Sequence, residues 1–507
     1  MGMTDVLIIG SGINGLSTAA LLSKKGKKVL VLEQAPAFGG AVRTEEVTLP
    51  GFKHDLFATN LSLFAGGGVM AELKDDLISH GLEFVPSDKP YCSLFPDGKM
   101  IGITMDRQKN LETLQRVAPN DVKAWQDLTA KLGELAPHLF PILGTELPSL
   151  AAAKSLFKTW RAIGTEGTLN LIRMLLQSSR AFTEEHFSHP ETKALAAIWG
   201  MHLDYGPDIS GGALFSFLES IGGQEFGMVL GKGGANVLID SLVSVIKKNG
   251  GELRTGMEVV EIIVESGKAI GVLTKNGERI LAKKVVANVN PALLPKLLKE
   301  APSTQELHNF RPGLGTMMIH LALDELPNWI DAEAKSFNYV HIAPYIDDMA
   351  ITYAQAAAGI LPDTPALVIG QPTVSDPSRA PEGKHVLWIQ VRVLPLDIKG
   401  KSWDEVAEQY ADSIIDNIEK YAPGLKQNIL GRKVLSPTDL ERYNPNLIKG
   451  DSLGGSHHPA QFFFLRPTPG WIRHRTPIEN LFICGSGTWP GGGVGGGSGL
   501  MVAKLLS

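Results

Sequence analysis

The sequence predicts an α/β protein whose parallel-sheet domain is split between the two ends of the chain. Three stretches carry that expectation. The opening to Glu33 reads strand, glycine loop, helix, strand; residues 251–290 alternate like paired strands; and residues 481–507 read strand, glycine-rich loop, helix. A length of 507 residues exceeds one ordinary core and suggests about three folding units at ~150 residues each.

In chain order, DVLIIG (5–10) is a short apolar run with a β-branched pair that ends at glycine, as a buried parallel strand does. From Ile13 to Lys25 the period changes to helical, with Leu16, Ala19, Ala20 and Leu22 on one face, and Gly26 stops it. KVLVLE (28–33) supplies the next strand and completes a βαβ unit. Residues 68–225 read as mostly helical, with interruptions at Pro137, Pro141, Pro148 and Gly206-Pro207. A helix over Ala235–Lys248 precedes a strand-rich stretch whose Lys275-Asn276-Gly277 tip is a hairpin signal. Further strand-like runs (TMMIHLALD, HVLWIQVRVLP) follow, then a helix from Ser402 to Tyr421. The domains expected are therefore interleaved: 1–67, 226–305 and 476–507 form a dinucleotide domain, 68–225 a helical insertion or lid, and 306–475 a β-rich substrate domain.

Gly10-Ser11-Gly12-Ile13-Asn14-Gly15 lies between the first strand and helix, where a phosphate meets backbone N–H groups and the positive end of a helix dipole. Glycines serve there for the tight turn, for close approach of a pyrophosphate, and for helix–strand packing. Glu33, followed by Gln34, ends the second strand, where a carboxylate accepts the hydroxyls of an adenosine ribose and disfavours a 2′-phosphate. GxGxxG alone is weak; in strand–loop–helix–strand–Glu context it is specific. Just beyond come Gly40, Ala41 and Arg43, a second glycine turn (Gly39-Gly40) with a fixed cation suited to a diphosphate. A nicotinamide dehydrogenase has no need of that extra clamp, so the expected cofactor is FAD.

Composition narrows the classes further. Hydrophobic residues at 44% and charged residues at 20% describe an ordinary globular enzyme. A net charge of -5 without long basic runs predicts no nucleic-acid partner. Two distant cysteines, Cys92 and Cys484, exclude a disulfide scaffold and a redox dithiol. No metal-ligand cluster occurs, and no metal is expected. The N-terminus lacks a signal-peptide pattern, and no apolar run spans a bilayer, so a soluble cytoplasmic protein is expected. Leu156, Phe157 and Trp160 beside Lys154, Lys158 and Arg161 offer either a lid or a peripheral membrane face.

On these segments the chain resembles the FAD-dependent amine-oxidase/phytoene-desaturase superfamily, and within it the phytoene desaturase-like dehydrogenases. The resemblance runs through GSGINGLSTAALLSKKGKKVLVLEQ, GGAVRT, GFKHDLFATN, GKGGANVLIDSLVSVIKKNGGELRTGMEVVEI, DPSRAPEGKH and QFFFLRPTPGWIRHRTPIENLFICGSGTWPGGGVGGGSG. It implies a Rossmann-type FAD-binding domain interleaved with a mixed-sheet substrate domain and a helical insertion. It also implies that the segment holding Thr59 and Asn60 runs beneath the flavin and that Val259 meets the adenine side through its backbone. Gly485, Ser486 and Gly487 would meet the pyrophosphate, and Gly492, Gly493 and Val494, with Gly495, the flavin pyrimidine at a helix N-terminus. Covalent members carry a cysteine in that last loop; here Ser486, Thr488 and Trp489 stand there, implying dissociable FAD. Trp489 either faces the flavin site or packs under the loop.

Oxidation of a carbon skeleton needs a hydride acceptor and often a base. His457 and His458, just before the C-terminal loop, and His202 in WGMHLDYGPD are the candidates. Gly450–Gly454 matches GxSxG but has neither the preceding strand nor the following helix of a nucleophile elbow. The expected function is an FAD-dependent dehydrogenase or desaturase acting on an apolar or alicyclic substrate, with oxygen or a quinone as electron acceptor. The alternatives are an oxygen-using flavin amine oxidase and a non-catalytic protein that keeps the fold to bind a partner.

Overall fold

The computed structural model describes residues 3–507. Two seven-stranded sheets organise it. The first is built on β1 (Thr4–Ile9), whose lower half is fully buried, and β2 (Val29–Leu32), joined by the helix α1 (Ile13–Lys24). β1 pairs in parallel with β2 on one side and with Arg279–Ala287 on the other, Ile8 facing Val31 and Val286. The strand Leu481–Ile483 adds in parallel to Arg279–Ala287, so the C-terminus returns to the sheet where the N-terminus began it. Strands Val259–Glu265 and Lys268–Thr274 extend it as antiparallel neighbours, turning at Lys275–Gly277 as expected.

The second sheet runs Ile429–Leu435, Gly315–Leu323, His385–Leu394, Ala366–Gly370, Tyr339–Ile342, Tyr91–Leu94, Met100–Ile103. Strand alternation gives it two unlike faces. Ile319, Leu321, Val340, Ile369, Leu387 and Ile389 pack under the amphipathic helix Trp403–Tyr421, which a Ser402–Glu405 capping box starts. The opposite face carries Tyr91, Ser93, Thr316, His320, Tyr339, His341, Trp388, Gln390 and Arg392.

Residues 68–225 hold helices but also the strands Phe84–Ser87, Tyr91–Leu94 and Met100–Ile103, two of which belong to the second sheet. Four-residue strands leave too short a period to stand out from a helical background. The helix Val122–Leu143 runs on through Pro137 and Pro141, where a break was expected. Each proline removes one donor, and both lie toward the helix's less buried end. The break falls instead inside Leu150–Leu176, at Gly164 with φ 70°. That helix packs beside Val122–Leu143 and Ala213–Phe226 and leaves Leu156, Phe157, Trp160, Leu169 and Leu176 exposed. Among the described residues no helix is long and apolar enough to cross a membrane.

Candidate functional site

The apolar strand β1 ends at Gly10, where φ of +88° bends the chain sharply into α1. A Cβ on Gly15 would lie 2.5 Å from the Gly10 carbonyl oxygen, so only glycine lets α1 start this close to the strand. Gly12 is the N-cap, no side chain caps the helix, and no acidic residue stands in its first turn, which includes Ile13, Asn14 and Gly15. Its N-terminal partial charge is therefore left open. Glu33 is buried beside it: one carboxylate oxygen accepts from the Ser11 N–H at 2.8 Å and hydroxyl at 2.6 Å, the other from the Ala35 N–H at 2.8 Å. Those three donors fix the carboxylate and leave it further lone pairs for a ligand's hydroxyls.

Other candidates gather here. Gly39 donates to the Ser11 carbonyl at 3.2 Å, laying the Gly39-Gly40 turn on Gly12. Arg43 ion-pairs with Glu45, and its carbonyl accepts from Leu56 at 2.8 Å. Ala41 accepts from Ala58, so the segment containing Thr59 and Asn60 is tied to this turn. Met257 donates to the Glu33 carbonyl at 2.8 Å, bringing the start of the Val259 strand alongside Glu33, while Gln34 is exposed.

The C-terminal glycine loop closes over the same place. Helix Gly497–Leu506 begins at Gly496, which offers no side-chain cap, and has no acidic first turn; Asn14 Oδ1 accepts its Gly499 N–H at 3.2 Å. It crosses α1 in contact: a Cβ on Gly499 would sit 2.1 Å from the Asn14 carbonyl oxygen, and Thr18 donates to the Gly499 carbonyl at 3.0 Å. Asn288, at the end of the strand between, joins the two loops. Its amide donates to the Gly10 and Gly12 carbonyls at 3.2 and 3.4 Å, and its Oδ1 lies 3.2 Å from where a Gly485 Cβ would stand. Reading the sequence missed it; the only signal was its place in VVANVN, one turn after an apolar strand.

Two buried side chains pin this loop from below. Arg466 donates to the Ser486 carbonyl from Nε and Nη2 and to the Gly454, Gly455, Ser456 and Gln461 carbonyls. His457 accepts the Gly492 N–H at 3.0 Å through Nε2, and burial holds its pKa well below the usual imidazole value. That nitrogen is thereby committed to the loop, which makes His457 a neutral anchor. Gly487 abuts Pro291, Gly493 abuts Leu63, and Val494 packs on the first sheet's core. Trp489 is buried against Phe462 and Phe463 and donates to the Thr145 carbonyl at 2.9 Å, so it packs under the loop.

A buried ion triad links the segment after the Gly39-Gly40 turn to the second sheet. Arg379 pairs with Asp55 at 2.6 Å and Asp376 at 3.1 Å and donates to the Gly231 carbonyl at 2.7 Å. Asp55 also receives Thr44, Thr59 and the Ala235 N–H. Asn60 accepts from Ser62. DPSRAPEGKH thus acts through Asp376 and Arg379.

His458 and His202 are brought toward the polar face of the second sheet. His458 Nε2 donates to the Asp204 carbonyl at 2.7 Å and lies 3.5 Å from its carboxylate. His202 is half-buried, with Nε2 itself out of reach of solvent and unpartnered among the described residues and its ring 4.7 Å from Trp199 and 5.3 Å from His341. Burial lowers the His202 pKa well below normal and that of His341 to about 3. A small cavity of about 10 Å³ opens nearby, lined by Met201, Asp204, Leu314, Thr316, Arg392, Val393, Ser452 and Leu453. The Leu453 carbonyl lies 2.9 Å from where a Gly492 Cβ would stand, so the cavity adjoins the C-terminal glycine loop. Asp204, which the sequence showed only as a neighbour of His202, has its carboxyl pushed up to about 6 by burial.

Two helix N-termini without an acidic first turn, side-chain-free loops and a fixed carboxylate fit a dinucleotide laid between the chain ends. Comparison with known proteins agrees. The model for flavin containing amine oxidoreductases matches residues 13–504. Pyridine nucleotide-disulfide oxidoreductase domain-containing protein 2 of Rattus norvegicus is 28% identical, over 99% of this chain and 93% of its own length. A 4,4'-diapophytoene desaturase of Methylomonas is 25% identical over 96% and 92%. One of the subunits of a limonene dehydrogenase from Castellaniella defragrans is 26% identical over 99% and 94%. In fold, the chain matches an oxidoreductase from Methanosarcina mazei with a TM-score of 0.66 at 20% identity, covering 99% of this chain and 100% of that one.

Proposed function

The chain belongs to the flavin containing amine oxidoreductase family, a family of oxidoreductases, and from that premise we propose that it binds FAD without a covalent bond and dehydrogenates an apolar or alicyclic carbon substrate. The observation that carries the reading is the meeting of two helix N-termini without an acidic first turn, their loops joined through Asn288, beside the fixed carboxylate of Glu33. In this reading the α1 N-terminus faces the diphosphate and Glu33 takes the ribose hydroxyls. The N-terminus of Gly497–Leu506 faces the flavin, where its dipole favours negative charge. FAD, when bound, supplies the two-electron acceptor for substrate hydride.

The protein's residues supply placement. His457 and Arg466 hold the C-terminal loop in one shape, and the Asp55–Arg379–Asp376 triad ties the segment after the Gly39-Gly40 turn to the second sheet. No cysteine stands in the C-terminal loop, and Cys484 is buried with its thiol pKa pushed up to about 12, which supports dissociable cofactor. The desaturase and limonene dehydrogenase among the relatives support a hydrocarbon-like skeleton over an amine.

The test is the visible spectrum of purified protein, followed by acid precipitation. We expect a yellow protein that releases FAD into the supernatant, and anaerobic bleaching by an alicyclic or polyene substrate. A protein that is colourless and takes up no FAD removes the reading. Flavin retained in the pellet removes the non-covalent part, and bleaching by amines alone favours an amine oxidase.

A further inference from the structure

Three arginines lie inside this molecule near the site, and they differ in what their nitrogens do. Arg379 has a partner on Nε, Nη1 and Nη2, two of them carboxylates. Arg466 has no carboxylate, but backbone carbonyls satisfy all three of its nitrogens. Arg392 is different. Its Nε donates to Gln390 at 2.8 Å and its Nη1 to the His202 carbonyl at 2.6 Å, while Nη2 has no partner among the described residues. No Asp or Glu forms an ion pair with it among the described residues. A guanidinium carries five donors and stays charged, so a half-buried one with three free N–H groups, two on Nη2 and one on Nη1, and no ion-pair partner lacks its complement. Desolvation is strong enough to pull its pKa down to about 10. The residue is only part-buried because it lines the cavity described above.

The backbone around that cavity is bent to put it there. Gly315 pairs with Leu394 and Thr316 with Arg392, so Val393 is the extra residue of a β-bulge. Val393 has φ of +62°, a conformation that a β-branched side chain strongly disfavours. Across the cavity, Asp204 has φ of +69°. Strained residues of this kind persist only where surrounding structure enforces them, and they gather at binding sites. Asp204 also lines the wall, its two carboxyl oxygens taken by the Leu314 N–H and the Ser456 hydroxyl; the rest is apolar (Met201, Leu314, Leu453) apart from the Thr316 and Ser452 hydroxyls, which bond one another at 3.0 Å. At about 10 Å³ the space suits one oxygen of a ligand's end group and not its whole body.

We propose that Arg392 anchors a carboxylate oxygen of the substrate, so that the molecule oxidised is an apolar skeleton ending in a carboxylate, not a bare hydrocarbon. This rests on the dehydrogenase reading above, and it deepens it by naming one end of the substrate. With that end on Arg392, the skeleton would run past Leu453 toward Gly492 and the C-terminal glycine loop.

The experiment uses the holoenzyme and two probes of one skeleton: perillate, and limonene, which has a methyl where perillate has a carboxylate. Binding is read by calorimetry and by change in flavin absorbance. In the unaltered protein perillate should bind at least ~10-fold more tightly, the discrimination expected of one charged hydrogen-bonded contact. Arg392→Gln should erase that preference while leaving limonene binding and FAD content unchanged, and Arg392→Lys should restore part of it. Equal affinity for the two probes in the unaltered protein, including no binding of either, overturns the proposal. So does equal loss of both in a yellow Arg392→Gln protein. If Arg392→Gln does not fold, the comparison in the unaltered protein decides alone. A colourless protein that still prefers perillate by calorimetry sinks the flavin reading and spares the subsite; a yellow one with no preference does the reverse.

Discussion

At the ends of the chain the site is made of backbone, whereas the second sheet presents side chains to it. Gly10, Gly12 and Gly15 face Gly485 across the single side chain of Asn288, Gly499 packs on the Asn14 backbone, and the positive groups there are peptide N–H donors at two helix starts. The facing surface of the second sheet has no such cluster of glycines. It holds His320, His341, Trp388, Gln390 and Arg392, and both ring nitrogens of His320 and His341 are buried without a partner among the described residues. The contrast separates two tasks. A cofactor shared by a whole family is gripped through features that every peptide has, provided side chains stay away. A substrate is distinguished by side chains, whose unmet donors define what must arrive.

Breaking the backbone half should have the largest effect. Gly15→Val drives a side chain into the Gly10 carbonyl, a backbone atom 2.5 Å from the new Cβ, and into the Asn288 amide at 2.7 Å. We expect a protein that purifies without flavin or does not fold, and a yellow protein of normal stability would show that the α1 start tolerates side chains. Next comes the seam between the halves. Arg379→Ala leaves Asp55 and Asp376 buried without their cation, a change that typically costs about 3–5 kcal/mol. A large fall in the thermal midpoint is expected; a midpoint within a degree of the unaltered protein would show the triad to be structurally idle.

The smallest expected effect sharpens the side-chain half. Burial raises the Asp204 carboxyl from 3.8 to about 6, so the folded protein holds that proton more tightly than the unfolded chain. Its stabilising contribution is present below about pH 4 and is lost as pH rises through 6, with an upper bound of about 3 kcal/mol. Asp204→Asn cannot ionise, so unaltered protein should lose stability relative to the variant as pH rises from 4 to 7. A stability difference that stays flat over that range would show that Asp204 titrates normally.

The backbone half was legible in the sequence because its constraint is local. A GxGxxG between a strand and a helix, Glu33 at the next strand's end, and the glycine run before Gly497 each declare themselves within a few residues. The side-chain half was not. His457 looked like a base, yet it serves the loop through Gly492; His202 is enclosed by aromatic rings; Arg379 stood in DPSRAPEGKH with no role attached, and Asn288, Asp204 and Arg392 carried no motif that marked them. The short strands Tyr91–Leu94 and Met100–Ile103 were hidden in a helical stretch for a related reason, since their membership in the second sheet depends on pairing with Tyr339–Ile342 nearly 250 residues away.

By itself, then, the sequence determined the α/β class, the nucleotide-type unit and its return at the C-terminus. Those follow from periodicity and from where a Cβ is missing, and both are properties of neighbouring residues. Only the tertiary structure decided that the two helix starts meet, that Asn288 joins their loops, and that Arg392 reaches a cavity with three donors unspent. Whether a polar group is satisfied depends on atoms supplied from elsewhere in the chain. The bulge at Val393 that aims Arg392 exists only because Gly315–Leu323 and His385–Leu394 pair out of step by one residue.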